Sequence, residues 1–337
     1  MYGILRGNML KTDHSISSLA ACAVAAITLA TNAAVAQDYP TKQPIRLVVP
    51  FAPGGVTDTS GRIVAEALGK RIGQTIIVEN QPGASGNIGT TRVAQSAPDG
   101  YTLLLGFDGT LAINPHVFAK TGFDGPKDFA PITKIGDATL ILVAHPSVPA
   151  KDLQGLIAHS KTVAGGLSYG TSGNGGTPHL AGEMLKQRSG AALTHIPYKG
   201  GGQAMQDVLG GNIPLVYTAI AGASQSVKAG RVNAIAVSSG KRDAALPNVP
   251  TMKESGYPDM VVDSWVALLA PAKTPTAIIE RLQRETAAAL AQPEVRDRLL
   301  GLGITPVGNT PEEFGAQWRN DLAKFGAVVK AAAIKAE

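Results

Sequence analysis

The chain has 337 residues, 44% of them hydrophobic and only 5% aromatic, with a formal net charge of +5. That length and apolar content suffice for two cores and exclude a disordered chain. The charge is scattered rather than blocked, so a nucleic-acid surface of basic stripes and aromatic platforms is excluded too.

The N-terminus reads as an export signal. Arg6 and Lys11 precede an apolar stretch over 19–30, and Ala34-Val35-Ala36 offers the small residues a signal peptidase needs. Residues 1–36 are therefore expected to be a signal peptide cleaved after Ala36, leaving a soluble periplasmic protein. An alternative is lipidation of Cys22, since Leu19-Ala20-Ala21-Cys22 resembles a lipobox, although the apolar run before it is short. Cys22 is the only cysteine, so cleavage at Ala36 removes disulfide, thiolate-metal and Cys-nucleophile chemistry. No later run reaches the length of a membrane span.

The mature chain opens on IRLVVPFAPGGVTDTSGRIVAEAL, from Ile45 to Leu68. The β-branched run predicts a strand buried on both faces, and Ile63, Val64, Ala67 and Leu68 recur as one face of a helix. Between them, Gly54 and Gly55 let backbone N–H groups approach a ligand at a helix N-terminus, where the dipole favours an anion. Asp58 and Arg62, at i and i+4, are expected to form an ion pair.

A strand over 76–79, a turn over 81–86, a helix over 87–97 and a strand over 101–106 follow. Strands alternating with helices imply a parallel sheet with right-handed crossovers. Ligands sit beyond the carboxyl ends of such strands, which brings Phe51, Asp108 and Thr110 into the candidate site. A new strand at 138–144 restarts the alternation as a second α/β unit. In it, Gly166–Leu185 repeats the strand, Gly-rich loop, helix plan, with Thr177 placed as N-cap and Pro178 at the first helical position. Strands at 167–170, 193–197, 213–219 and 232–237 alternate with helices at 152–160, 178–187, 203–209 and 224–229. The chain crosses between the units near Ala138 and near Trp265, where SWVALLAP forms another strand.

The last third reads as packing helices. Thr274-Pro275 starts one whose Ile278, Ile279, Leu282 and Leu290 face one way, and Gln292-Pro293 restarts it. Thr310 to Glu313 forms a capping box before Phe314, Trp318, Leu322 and Phe325.

No nucleophile elbow, P-loop, zinc-protease helix or dinucleotide fingerprint is present. His179 and Glu183 lie one helical turn apart without further ligands nearby, so no metal and no cofactor is expected.

Several stretches together resemble one family: Phe51-Ala52-Pro53-Gly54-Gly55 with Asp58, VENQPGASGNIGT from Val78, PDGYTLLLG from Pro98, and AINP from Ala112. The loop GTSGNGGTPHL, PYKGGGQAMQDVLGGNI from Pro197 and LPNVPTMKESGYP from Leu246 continue the series. The chain is similar to the Bug-type extracytoplasmic solute receptors of tripartite tricarboxylate transporters.

The resemblance implies an α/β, two-lobed periplasmic-binding-protein fold of type II, a Venus flytrap in which each lobe is a mixed sheet flanked by helices. Lobe 1 would be 37–138 with 263–337, and lobe 2 would be 139–262, with hinge crossings near 138 and 263. It also implies that a small carboxylate is gripped mainly by backbone groups. Pro53, Gly54, Gly55 and Asp58 would form the first-lobe clamp. Thr171, Ser172, Gly173, Asn174 and His179 would form the second, with Tyr198, Lys199 and Gly200 near the rim.

Two departures bear on the ligand. Phe107-Asp108-Gly109 replaces a short polar turn, and Thr218-Ala219 leads into an apolar segment where an Asp or Asn is expected. An acid at 108 would repel a second carboxylate or attract an ammonium, so dicarboxylates, amino acids and aromatic acids all remain open. The expected partners are the membrane subunits of such a transporter, for a monomeric receptor without enzymatic activity. The alternatives are a ligand-presenting subunit for a sensor kinase, or an exported α/β enzyme acting on small acids through Asp58, Asp108 and His179.

Overall fold

The computed structural model describes residues 39–335 apart from Gly55 and Lys199. The export signal and Cys22 therefore lie outside the described residues. Two mixed sheets organise the rest.

The first sheet starts from β1 (Ile45–Val49), which runs through a Gly-rich turn into α1 (Val56–Ile72). Then come β2 (Ile76–Asn80), α2 (Asn87–Ala94), β3 (Thr102–Phe107) and β4 (Phe129–Ala138). β1, β2 and β3 pair in parallel as the alternation requires. Two later strands, β10 (Ser264–Pro271) and β11 (Ile304–Pro306), enter antiparallel and make the sheet mixed, in the order β11-β4-β10-β3-β1-β2. β10 runs that way because it returns from the other sheet.

The second sheet has the order β7-β6-β8-β5-β9. Its strands are β5 (Leu140–Ala144), β6 (Leu167–Thr171), β7 (Leu193–Pro197), β8 (Leu215–Ala219) and β9 (Asn233–Val237). Between them run α3 (Leu153–Ser160), α4 (Thr177–Ser189), α5 (Gly201–Leu209) and α6 (Ile220–Lys228). The chain then closes with α7 (Thr276–Leu290), α8 (Pro293–Gly301) and α9 (Pro311–Ala331), the last carrying the capping box of Thr310 and Glu313.

Side-chain alternation decides which core each residue joins. Along β10, Trp265, Ala267 and Leu269 pack into one cluster, while Val266, Leu268 and Ala270 pack into another. The first cluster continues through Leu140 and Leu142 of β5 and Tyr217 of β8, so one apolar core passes from sheet to sheet. Phe314, Trp318, Phe325 and Val328 of α9 cover it.

Several sequence expectations are corrected. The strand expected at 138–144 is two strands, with Thr139 between β4 and β5. No apolar alternation announces β4 in the sequence, because Pro131, Lys134, Gly136 and Asp137 interrupt it. Buried Lys134 is tolerated there because its Nζ donates to Asp137 at 2.9 Å and to Gln317 at 2.8 Å. The helix of 87–97 stops at Ala94, and that of 224–229 already starts at Ile220. A single π-turn over Gly109–Ile113 follows β3, which periodicity cannot announce.

Candidate functional site

Register places the carboxyl ends of the first sheet's parallel strands together: Val49 pairs with Asn80, and β3 ends alongside at Phe107. In the second sheet Thr171 pairs with Pro197, next to the end of β8 at Ala219. The N-termini of α1 and α2 follow directly from the first edge, and those of α4, α5 and α6 from the second. The two edges meet, for Thr177 at the start of α4 donates from Oγ1 to Asp108 Oδ2 at 2.5 Å. Helix N-termini thus follow the strand ends of both sheets, and that of α4 reaches across to the first, a polarity that suits an anion.

The first-lobe loop is built from its own interior. Asp58 is buried, and its Oδ2 accepts from the Gly54 N–H at 2.9 Å and from Arg62 Nε at 3.1 Å. Asn80 Nδ2 donates to Asp58 Oδ1 at 2.8 Å and to the Phe51 carbonyl at 3.0 Å. Desolvation works against this carboxylate, but the bonds from Arg62, Gly54 and Asn80 outweigh it and hold Asp58 below the usual range. The expected Asp58–Arg62 pair therefore forms, at 3.0 Å, and it shapes the loop. Gly54 has φ +88°, and a Cβ there would meet nothing within 4 Å, so the tip is open on its outer side. Pro53 is exposed, and half-buried Phe51 sits edge-on against Phe107 at 5.7 Å. Gly55 lies outside the described residues.

The second-lobe loop rests on neutral groups. Thr171 Oγ1 donates to the Gly173 carbonyl at 2.8 Å and lies 2.7 Å from His195 Nε2. His195 stacks on His179 at 3.6 Å between ring centres, and His179 Nδ1 accepts from the Gly175 N–H at 3.0 Å. Both rings are held neutral mainly by burial: His179 is lowered from its ordinary value, and His195 is lowered to about 3. Glu183, 3.9 Å from His179, is occupied by Tyr169 and Lys186. Ser172 and Asn174 are exposed at the tip, and Asn174 Nδ2 donates to the Lys335 carbonyl at 3.4 Å.

Three candidate residues take roles other than the expected one. Asp108 has no exposed surface, and its oxygens are filled by Thr177 and by Ser264 Oγ at 2.7 Å, so the argument from its charge to ligand identity falls. Thr110 is buried and donates to the Ser85 carbonyl at 2.9 Å, bracing the neighbouring turn. Thr177 is not an N-cap: Gly176 holds that position, and the hydroxyl reaches Asp108 instead. Of the others, Thr218 sits against Gly201, where a Cβ would come within 2.8 Å of its Oγ1. Ala219 closes β8, and Tyr198 donates to Asp207 at 2.7 Å. Lys199 lies outside the described residues.

Two features of this junction were not singled out from the sequence. Gly83, Ala84, Ser85 and Gly86 all have positive φ, and a Cβ on Gly86 would strike Thr110 and Phe51, so this turn belongs to the first-lobe tip. PGASG carries the signal for it, since its glycines permit the positive φ that the turn requires. On the β11 side of the crossings lies a cavity of about 700 Å³, lined among others by Asp137, Lys241, Arg242, Asp263 and Arg296. Desolvation, with Asp137 nearby, pushes Asp263 up to about 7. No local motif marks it, because its walls come from five separate stretches of chain.

The description "tripartite tricarboxylate transporter family receptor" matches residues 61–334. The chain belongs to this family. It is similar to protein BugT of Bordetella pertussis, 36% identical over 88% of this chain and 90% of that protein. Among solved structures it is similar to an R. palustris protein determined with adipate, at 33% identity and TM-score 0.76, covering 88% of this chain and 99% of that one. MatC from Rhodopseudomonas palustris, solved with bound malate, gives 32% identity and TM-score 0.72 over 86% and 100% of the two chains. The receptor thus has the two-lobed α/β fold of periplasmic binding proteins, and among its described residues no helix is long and apolar enough to cross a membrane.

Proposed function

We propose that this receptor binds a small organic carboxylate between the loops at 51–58 and 171–179, after export through its N-terminal signal, and presents the closed form to the membrane subunits of a transporter. Lobe 1 would comprise 37–138 and 263–337, and lobe 2 residues 139–262. The observation that carries the reading is that two Gly-rich loops, each leading into a helix N-terminus, follow parallel-strand ends of two sheets that Thr177 and Asp108 bring into contact. The malate and adipate in the related structures agree with it.

Backbone donors suit reversible capture. Charge-assisted bonds contribute about 1.5–3 kcal/mol each, and three or four with some burial reach about −8 kcal/mol, a micromolar affinity. Binding without turnover is the expected behaviour. Asp58 and Asp108 are committed to internal hydrogen bonds and His179 Nδ1 to Gly175, which leaves little for acid–base work.

Isothermal calorimetry against malate, adipate, amino acids and aromatic acids tests the proposal. A micromolar signal from at least one class, with the acid recovered unchanged, is expected. Silence across the panel, or conversion of a bound acid, would overturn it.

A further inference from the structure

Asp108 lies where the moving parts of a two-lobed receptor come together. It follows β3 of the first lobe, Thr177 opens α4 of the second, and Ser264 begins the strand on which the chain returns. One buried carboxylate joins all three, with an oxygen for each hydroxyl.

We propose that Asp108 is a closure latch, a positioning residue that holds Thr177 only when the lobes are together and so sets how readily the receptor closes on its ligand. The proposal rests on the receptor reading above and adds to it a control on the open–closed equilibrium.

Separating the lobes draws Thr177 away and admits water to the carboxylate, returning it to ordinary behaviour. With Thr177 held as it is here, the arrangement the proposal takes as closed, desolvation pushes the Asp108 carboxyl up to about 7 despite the bonds from Thr177 and Ser264. Closing therefore takes up a proton. Because the closed-state value is the higher one, closure is favoured in acid and weakens as pH rises from about 4 to about 7, by up to about tenfold per pH unit.

The groups facing Asp108 are the two hydroxyls, the Gly109 N–H, and Asp321 on α9, which raises it further. Asp321 is itself engaged by Trp265 Nε1 at 2.9 Å and Lys324 Nζ at 3.1 Å. His179 and His195 titrate in the opposing sense, since both are buried neutral. A variant at Asp108 separates the two contributions.

The test uses the full chain carrying Cys22→Ser, with spin labels at Arg92→Cys on α2 and Gln206→Cys on α5, both exposed and on opposite lobes. Double electron–electron resonance is recorded without ligand from pH 8 to pH 5. In the parent protein the ratio of short to long distances should change with pH. D108N keeps an acceptor and a donor for the two hydroxyls but cannot titrate, so its closed fraction at pH 8 should exceed the parent's severalfold and the acid-dependent gain should vanish. Thr177→Val should shift the distribution towards long distances at every pH. A D108N profile identical to the parent's, or an unchanged distribution in Thr177→Val, overturns the latch. No ligand enters the measurement, so its failure leaves the receptor reading intact.

Discussion

The two Gly-rich loops proposed to hold the ligand are alike in plan and opposite in construction. The 51–58 loop is braced by an ionised carboxylate, Asp58, that gathers Gly54, Arg62 and Asn80. The 171–179 loop is braced by a pair of stacked, neutral imidazoles and a threonine hydroxyl. Arg62 is about half exposed, so the first brace keeps one partner in water and a charge is tolerable. In the second brace Thr171 and His179 are buried and His195 is half-buried, where neutral donors and acceptors cost less. Two solutions to one geometric problem therefore differ by how much solvent each site retains.

The difference fixes how each loop fails. Removing Asp58 frees the Gly54 N–H, Arg62 and Asn80 at once. Asp58→Ala is expected to cost about 2–4 kcal/mol of stability, on the basis of charge-assisted bonds lost from a buried site, and to abolish measurable acid binding in calorimetry. Stability within about 0.5 kcal/mol of the parent would show that the carboxylate is not the brace.

Acid separates the loops further. Asp58 is lowered in the fold, so its contribution is present above its unfolded value near 3.8 and is lost only as pH falls below that. The histidines are also lowered, but as bases, so the fold is penalised as pH falls from 6.5 towards about 3. Hydrogen exchange is thus expected to rise first in peptides covering 171–177, and only in stronger acid in those covering 51–58. His179→Phe keeps a ring against His195 but loses the acceptor for Gly175, which should cost about 1 kcal/mol and blunt the early acid step. Simultaneous loosening of both loops in the parent would contradict the comparison.

Much of this architecture was legible in the residues. The β1–α1 unit showed in its β-branched run and helical spacing, and the Asp58–Arg62 pair in its i, i+4 separation. The capping box at Thr310 was equally plain. Legibility ended where partners are far apart in sequence. Thr177 looked like a local cap, because nothing nearby in the chain shows that its hydroxyl meets Asp108 sixty-nine residues away. Asp108 looked like a ligand contact because strand ends usually face the cleft, yet tertiary packing buried it. The stacking of His179 on His195 was likewise invisible, since it depends on the register of β6 against β7. β4 was missed because its charged residues find partners only on α9 and within the strand.

A crystal structure with the tightest-binding acid tests the central claim most directly. The expected result is a carboxylate between the two tips, within hydrogen-bond distance of backbone N–H groups from both 51–56 and 171–177. Density confined to one tip, or to the cavity lined by Asp137 and Asp263 on the β11 side, would contradict it.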